Sequence, residues 1–120
     1  MVIFKKDEKV NVTEHLRGGD GVAAISDYYQ RVHPANSASA GTHVLKEGCG
    51  IGFHEHPTEY EFYYIFQGEG EYDDNGKEKI KVGVGDLTIC VPGEGHGIRN
   101  IGKEDLKFVG FKITADENNK

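Results

Sequence analysis

Three histidines and one glutamate carry the clearest chemistry in this chain. The run Gly48–Gly68 reads GCGIGFHEHPTEYEFYYIFQG, and His54 and His56 stand two residues apart within it. On an extended strand such residues leave the same face, about 6.6 Å apart along the backbone. Two imidazoles placed so can converge on one ion at about 2.0–2.1 Å. Glu61 begins the next apolar segment, with Glu61, Tyr63 and Ile65 on one face and Phe62, Tyr64 and Phe66 on the other. Both faces read as buried, which puts this strand in the middle of a layered structure. A buried Glu61 needs a counter-charge, and a metal ion supplies one. The second run, Gly85–Asn100 (GDLTICVPGEGHGIRN), ends a strand at a Pro-Gly turn and sets His96 at the head of the next. From there His96 reaches the same interior from the facing sheet. Three neutral imidazoles and one carboxylate form a mixed nitrogen and oxygen set for one divalent transition-metal ion, with a site charge of about +1. The donors do not choose among Mn, Fe, Ni, Co, Cu and Zn. An octahedral ion held by these four keeps two positions open, which suits a small anion with two oxygen donors such as oxalate or a 2-oxo acid.

These residues need short strands and tight turns to hold them, and the composition supplies both. Among 120 residues there are seventeen Gly, six Phe and six Tyr, and few segments have helical periodicity. Strands are expected near Thr42–Leu45, Ile51–His56, Tyr60–Phe66, Gly70–Tyr72, Glu78–Val82, Leu87–Val91, Gly97–Asn100 and Leu106–Ile113. Asp73-Asp74-Asn75-Gly76 supplies residues for a hairpin turn with positive φ. The first third reads differently, with a turn-rich Leu16–Gly21, an extended Val22–Tyr29 and a loop over Arg31–Ala40. The polar tail Ala115–Lys120 is expected to fray. The reading is one all-β domain over residues 1–120, a sandwich or barrel whose core spans about 41–113 behind an N-terminal arm of 1–40.

Both runs resemble the two signatures of the cupin superfamily. The first, G-x5-H-x-H-x4-E-x6-G, is met at every fixed position by Gly48, His54, His56, Glu61 and Gly68. The second, G-x5-P-x-G-x2-H-x3-N, is met by Gly85, Gly93, His96 and Asn100, while Val91 stands at the proline position and Pro92 one residue later. Within that superfamily the chain is similar to small single-domain bacterial members described as oxalate decarboxylase-like, through the stretch Ile51–Val82. The resemblance implies a double-stranded β-helix, or jelly roll, with the metal inside the barrel and manganese as the first expectation. It also implies a small-carboxylate ligand. The enzymatic readings are oxalate-like decarboxylation, dioxygen-dependent cleavage or sugar-phosphate isomerisation. The alternative is a non-catalytic, metal-dependent binder of a small acid or sugar.

Other residues are placed by parity and neighbourhood. Tyr63 lies two residues beyond Glu61 on its face, Glu59 is a partner or rim charge, and His43 precedes the motif on its own strand. The alternation His96, Ile98, Asn100 points Asn100 inward and Arg99 outward. Tyr63, Glu59, His43 and Asn100 are therefore the candidates to line the pocket. His15 and His33 read as surface residues. Arg17 and Arg31 can approach the barrel mouth, and Glu94 is a stand-in for the proton donor that decarboxylation needs. Cys49 and Cys90 read as reduced thiols, with Cys90 in the core.

The net charge of −6, without a basic cluster longer than Lys5-Lys6, makes nucleic acid and anionic membranes poor partners. No signal segment or apolar run of membrane length is present, so a cytoplasmic location is expected. The extended Val22–Tyr29 could add strands to a second copy, which makes a homodimer the expected assembly.

Overall fold

In the computed structural model residues 1–115 are described, so the polar tail 116–120 lies outside them. Ten strands and two short 3-10 turns make up the regular structure: β1 Val10–Glu14, β2 Val22–Ser26, β3 Ser37–Leu45, β4 Gly50–Glu55, β5 Glu59–Gln67, β6 Glu69–Asp74, β7 Glu78–Gly83, β8 Leu87–Cys90, β9 Gly95–Asn100 and β10 Leu106–Thr114. All pairings are antiparallel. They form a six-stranded sheet in the order β1-β2-β3-β10-β5-β8 and a four-stranded sheet in the order β4-β9-β6-β7. The two sheets stack as a jelly roll, and the space between them holds the core. Among the described residues no helix is long and apolar enough to cross a membrane.

Alternation explains the core. Leu45, Tyr63, Ile65, Leu106 and Phe108 from the large sheet meet Ile51, Tyr72, Val82 and Ile98 from the small one, all buried. At about 25 cal/mol per Å² of apolar surface removed from water, each large side chain here contributes about 2 kcal/mol. The expected hairpin turn is present, with Asn75 at φ 57 and Gly76 at φ 70 joining β6 to β7. Pro92 and Gly93 form the centre of a turn closed by Glu94 N–H donating to Val91 O at 3.0 Å. Gly93 has φ 92 there, as the third residue of a Pro-Gly turn requires. A proline one place later than the family pattern thus still closes the turn before His96.

Four expectations are corrected. Ser37–Ala40 is the first half of β3 rather than loop, and β1 is a strand where none was expected. The Val22–Tyr29 segment is a strand only to Ser26, and it pairs with β1 and β3 of its own chain instead of waiting for a partner. The N-terminal residues are therefore part of the large sheet. Finally, the second face of β5 is not buried: Tyr64 is 46% exposed and Phe66 43%, and Phe62 is half-buried against Phe111. β5 is flanked by β10 and β8 within its sheet, but its outer face is left partly exposed.

Candidate metal centre

A β-bulge aims the histidines. β4 pairs with β9 through Ile51↔Ile98 and then His54↔His96, so three steps along β4 match two along β9. Unbroken alternation from the buried Ile51 would turn Phe53 and Glu55 inward. The extra residue resets the phase, so Phe53 and Glu55 are exposed and the side chains of His54 and His56 are buried. Gly52 sits in the bulge because a Cβ there would run into the carbonyl of Arg17. Its own carbonyl accepts from His54 Nδ1 at 2.8 Å. That bond fixes the tautomer and leaves Nε2 of His54 free to face the interior.

His56 lies just beyond β4, held by its N–H donating to Glu94 O at 2.9 Å and by Gly93 N–H donating to its carbonyl at 2.8 Å. The Pro-Gly turn thus positions His56 as well as His96. His54 and His96 are neighbours in the small sheet, whereas Glu61 comes from β5 in the large sheet. This corrects the expectation that His96 arrives from the sheet facing the other two histidines; the facing residue is Glu61.

The four side chains converge. Glu61 Oε1 lies 2.8 Å from His96 Nε2, 2.9 Å from His56 Nε2 and 3.7 Å from His54 Nε2. Nε2 of His56 and Nε2 of His96 are 3.1 Å apart. One donor atom from each residue falls within a set no wider than 4.8 Å. Two outer imidazole nitrogens have hydrogen-bond partners, Gly52 O for His54 and Tyr72 Oη at 2.8 Å for His96, while Glu59 Oε1 stands 3.7 Å from the outer nitrogen of His56. Inner nitrogens directed at one carboxylate oxygen, with two of the outer nitrogens anchored, fit a single bound transition-metal ion.

Electrostatics agree with that arrangement. Burial alone would raise the pKa of Glu61, but hydrogen bonding with His54 and His96 and the charge of Lys112 hold it well below the carboxylate range. Burial lowers His56 below its ordinary value. A neutral His56 beside an ionised Glu61 is the combination that a metal requires of these two residues.

The centre opens into a cavity of about 450 Å³ that reaches the N-terminal strands. Tyr63 and His43 line it, as do His54 and Glu61. Tyr63 Oη donates to Glu61 Oε1 at 3.2 Å, and burial raises its pKa well above 10. His43 stacks on Phe108 with ring centroids 4.8 Å apart, and burial pushes its pKa down to about 4. Asn100 does not line the cavity. It is buried away from it, donating to Leu45 O and Glu104 O and accepting from Gly102 N–H. Glu59 stays beside His56 outside the cavity, and Glu94 is absent from the lining, its carbonyl spent on His56. Arg31 turns away to Val2 O. His15 and His33 are exposed, yet His33 also borders the cavity.

Two cations line the cavity. Arg17, expected near the barrel mouth, is in the wall, held in a left-handed conformation at φ 54 that costs an ordinary residue about 1 kcal/mol. Lys112, on β10 and directly paired with Glu61, is missed by the sequence reading. Its signal lay in the alternation Leu106, Phe108, Gly110, Lys112, which places it on the core-facing side.

Residues 41–111 match the family model described as "Cupin domain". The chain is 33% identical over 114 residues to the "Oxalate-binding protein" of Thermotoga maritima, covering 94% of this chain and 93% of that protein. Among solved structures, it superposes on a predicted oxalate decarboxylase of T. maritima with a TM-score of 0.88 and 30% identity, covering 95% of this chain and 99% of the other. KdgF of a Halomonas species shares the fold at a TM-score of 0.74 and 17% identity, with 100% and 98% of the two chains covered.

Proposed function

The chain belongs to the cupin family, and on that premise we propose that it is a metal-dependent binder of small dicarboxylate anions, with oxalate the first candidate. The convergence of His54, His56, Glu61 and His96 beside a 450 Å³ cavity carries this reading. A divalent ion bound there supplies positive charge and coordination positions for carboxylate oxygens. The chain's own residues do the rest. Glu61 balances one charge of the ion, Tyr63 holds Glu61 in place by its hydrogen bond, and Lys112 adds attraction for an incoming anion. The ligand named for the T. maritima relative is consistent with this chemistry.

Binding is placed ahead of decarboxylation because, among the described residues, no carboxylic acid in the cavity stands out as a proton donor. Decarboxylation of oxalate leaves a carbon that must be protonated, so it needs an acid near the ligand. Of the carboxyl groups lining the cavity, Glu61 is held ionised and Asp27 Oδ1 accepts from Tyr29 N–H at 2.8 Å. The Tyr63 hydroxyl is raised far above neutrality, and His43 is neutral there.

The outer face of the large sheet supports a homodimer. Tyr60, Tyr64 and Phe66 of β5 and Leu87 and Ile89 of β8 are exposed, with Tyr64 paired to Leu87 and Phe62 to Ile89. Such an apolar stripe is a surface that a second copy of the chain would cover. A cytoplasmic location completes the reading, with manganese as the first metal to test.

The deciding experiment is elemental analysis of protein purified without added metal. Calorimetric titration with oxalate follows, before and after chelation, with CO₂ release and O₂ uptake assayed in parallel. One equivalent of metal and saturable oxalate binding only in the loaded protein are expected, without turnover. Oxalate-dependent CO₂ release would move decarboxylation ahead, and failure of the loaded protein to bind oxalate would remove the proposal.

A further inference from the structure

Oxalate is a very small anion, and a cavity of about 450 Å³ is far larger than it requires. The extra room is built in. Ala38, Ser39, Ala40 and Gly41 of β3 all border the cavity, and Ser39, which shares the inward parity of His43 and pairs with Lys112, leaves room by its small side chain. At its N-terminal end stands Arg17, and beside Glu61 stands Lys112.

Neither cation has a carboxylate within 4.0 Å among the described residues. The charged groups facing the cavity are Arg17, Lys112, Glu61 and Asp27, which cancel, so a divalent ion leaves the lining at about +2. A dianion neutralises that charge and a monoanion does not. The backbone of Arg17 is also firmly sited. Its carbonyl packs on Gly52, two residues from His54, and its turn is closed by Gly18 N–H donating to His15 O and Gly19 N–H donating to Leu16 O. An arginine held at φ 54 in a wall of the cavity, unpaired and tied to the strand that carries a candidate ligand, is placed to recognise an anion.

We propose that the cavity accepts a 2-oxo or 2-hydroxy dicarboxylic acid longer than oxalate, its head carboxylate at the His54–Glu61 centre beside Lys112 and its distal carboxylate on Arg17. This rests on the reading above that the centre holds a metal and takes a carboxylate head.

The test is calorimetric titration of the metal-loaded full chain with oxalate, 2-oxoglutarate and 2-oxopentanoate. The last has the same carbon chain with a methyl group in place of the distal carboxylate. The wild type should bind 2-oxoglutarate at least about tenfold more tightly than 2-oxopentanoate. Arg17→Gln should abolish that preference while weakening oxalate far less than 2-oxoglutarate, with metal content unchanged. Lys112→Met should weaken all the acids together. Absence of the preference in the wild type overturns the proposal, as does an Arg17→Gln variant that weakens oxalate and 2-oxoglutarate equally. If oxalate still binds the loaded protein in either case, only the longer ligand is lost and the metal-dependent binder stands. If oxalate fails as well, the metal-and-carboxylate reading falls with it.

Discussion

His43 should make the stability of the metal-free protein depend on pH. The residue is 7% exposed, its ring stacked on Phe108 and tilted against Tyr63, with Nδ1 3.2 Å from Gly41 O. Burial lowers its pKa from 6.5 to about 4; Glu61 and the Gly41 carbonyl oppose that shift, while Lys112 and His96 add to it. Between those two values the unfolded chain carries a proton on this residue that the folded chain lacks. Stability therefore rises with pH across the window and is lost as pH falls from 6.5 towards about 4. A shift of about two and a half pKa units sets a ceiling on the order of 3 kcal/mol, of which about 2 kcal/mol is lost between about pH 7 and about pH 5. The chain has no Trp, so urea unfolding followed by far-UV circular dichroism in the presence of a chelator is the appropriate assay. His43→Leu should be less stable at neutral pH because it loses a hydrogen bond, but its curve should be flatter by that amount. The other residues are common to both proteins, so the difference between the two curves reports His43 together with its coupling to Glu61 and His96. Wild-type and variant curves running parallel within about 0.5 kcal/mol would show that His43 is not held neutral by the fold.

His54→Ala combined with His56→Ala should abolish metal binding and lower the melting temperature by removing the buried partners of Glu61; unchanged metal content by elemental analysis would refute it. Tyr72→Phe removes the hydroxyl beside His96 Nδ1 and should weaken metal affinity about tenfold or more in competition with a chelator, with little change in the circular dichroism spectrum. Replacing Tyr64 and Ile89 by Lys puts two charges on the outer stripe of the large sheet. Light scattering at micromolar concentration should shift from dimer to monomer mass while metal content stays the same. A monomeric wild type would refute the assembly.

The centre was legible because its information is local. His54 and His56 need only a short strand, Glu61 only the next one, and His96 the turn after β8. What escaped reading did so for physical reasons. β1 is exposed at all five positions and its cavity-facing residues, Asn11 and Thr13, are polar, so no apolar inward face marks it, and it exists because β2 offers it an edge. Ser37–Ala40 read as loop because its residues are small, yet Ala38, Ser39 and Ala40 border the cavity, where the small side chain of Ser39 leaves room. The aromatic residues Tyr64 and Phe66 read as core from their chemistry alone, and sequence cannot distinguish a face buried by the chain from one left apolar for a partner. Asn100 does point inward as its parity required, but three hydrogen bonds spend it on holding the β3 end and the 102–104 loop together. Parity gives direction and not destination.

The bulge in β4 separates two alphabets on one strand. Up to Ile51 the inward positions spell the apolar core, and from His54 onward they spell the polar centre. Substitutions on either side can accumulate without changing what the other side presents, but the loss of a residue is read quite differently from place to place. Removing Gly52 would set Ile51 and His54 two steps apart, matching Ile98 and His96 across the ladder, and both would still face inward. Only the spelling of the bulge would go, and with it the carbonyl that anchors His54 Nδ1. Removing Glu55 instead would make His54 and His56 consecutive, and one imidazole would be turned out to water. The bulge is thus where β4 can be shortened with its inward parity kept, at the cost of the anchor on His54.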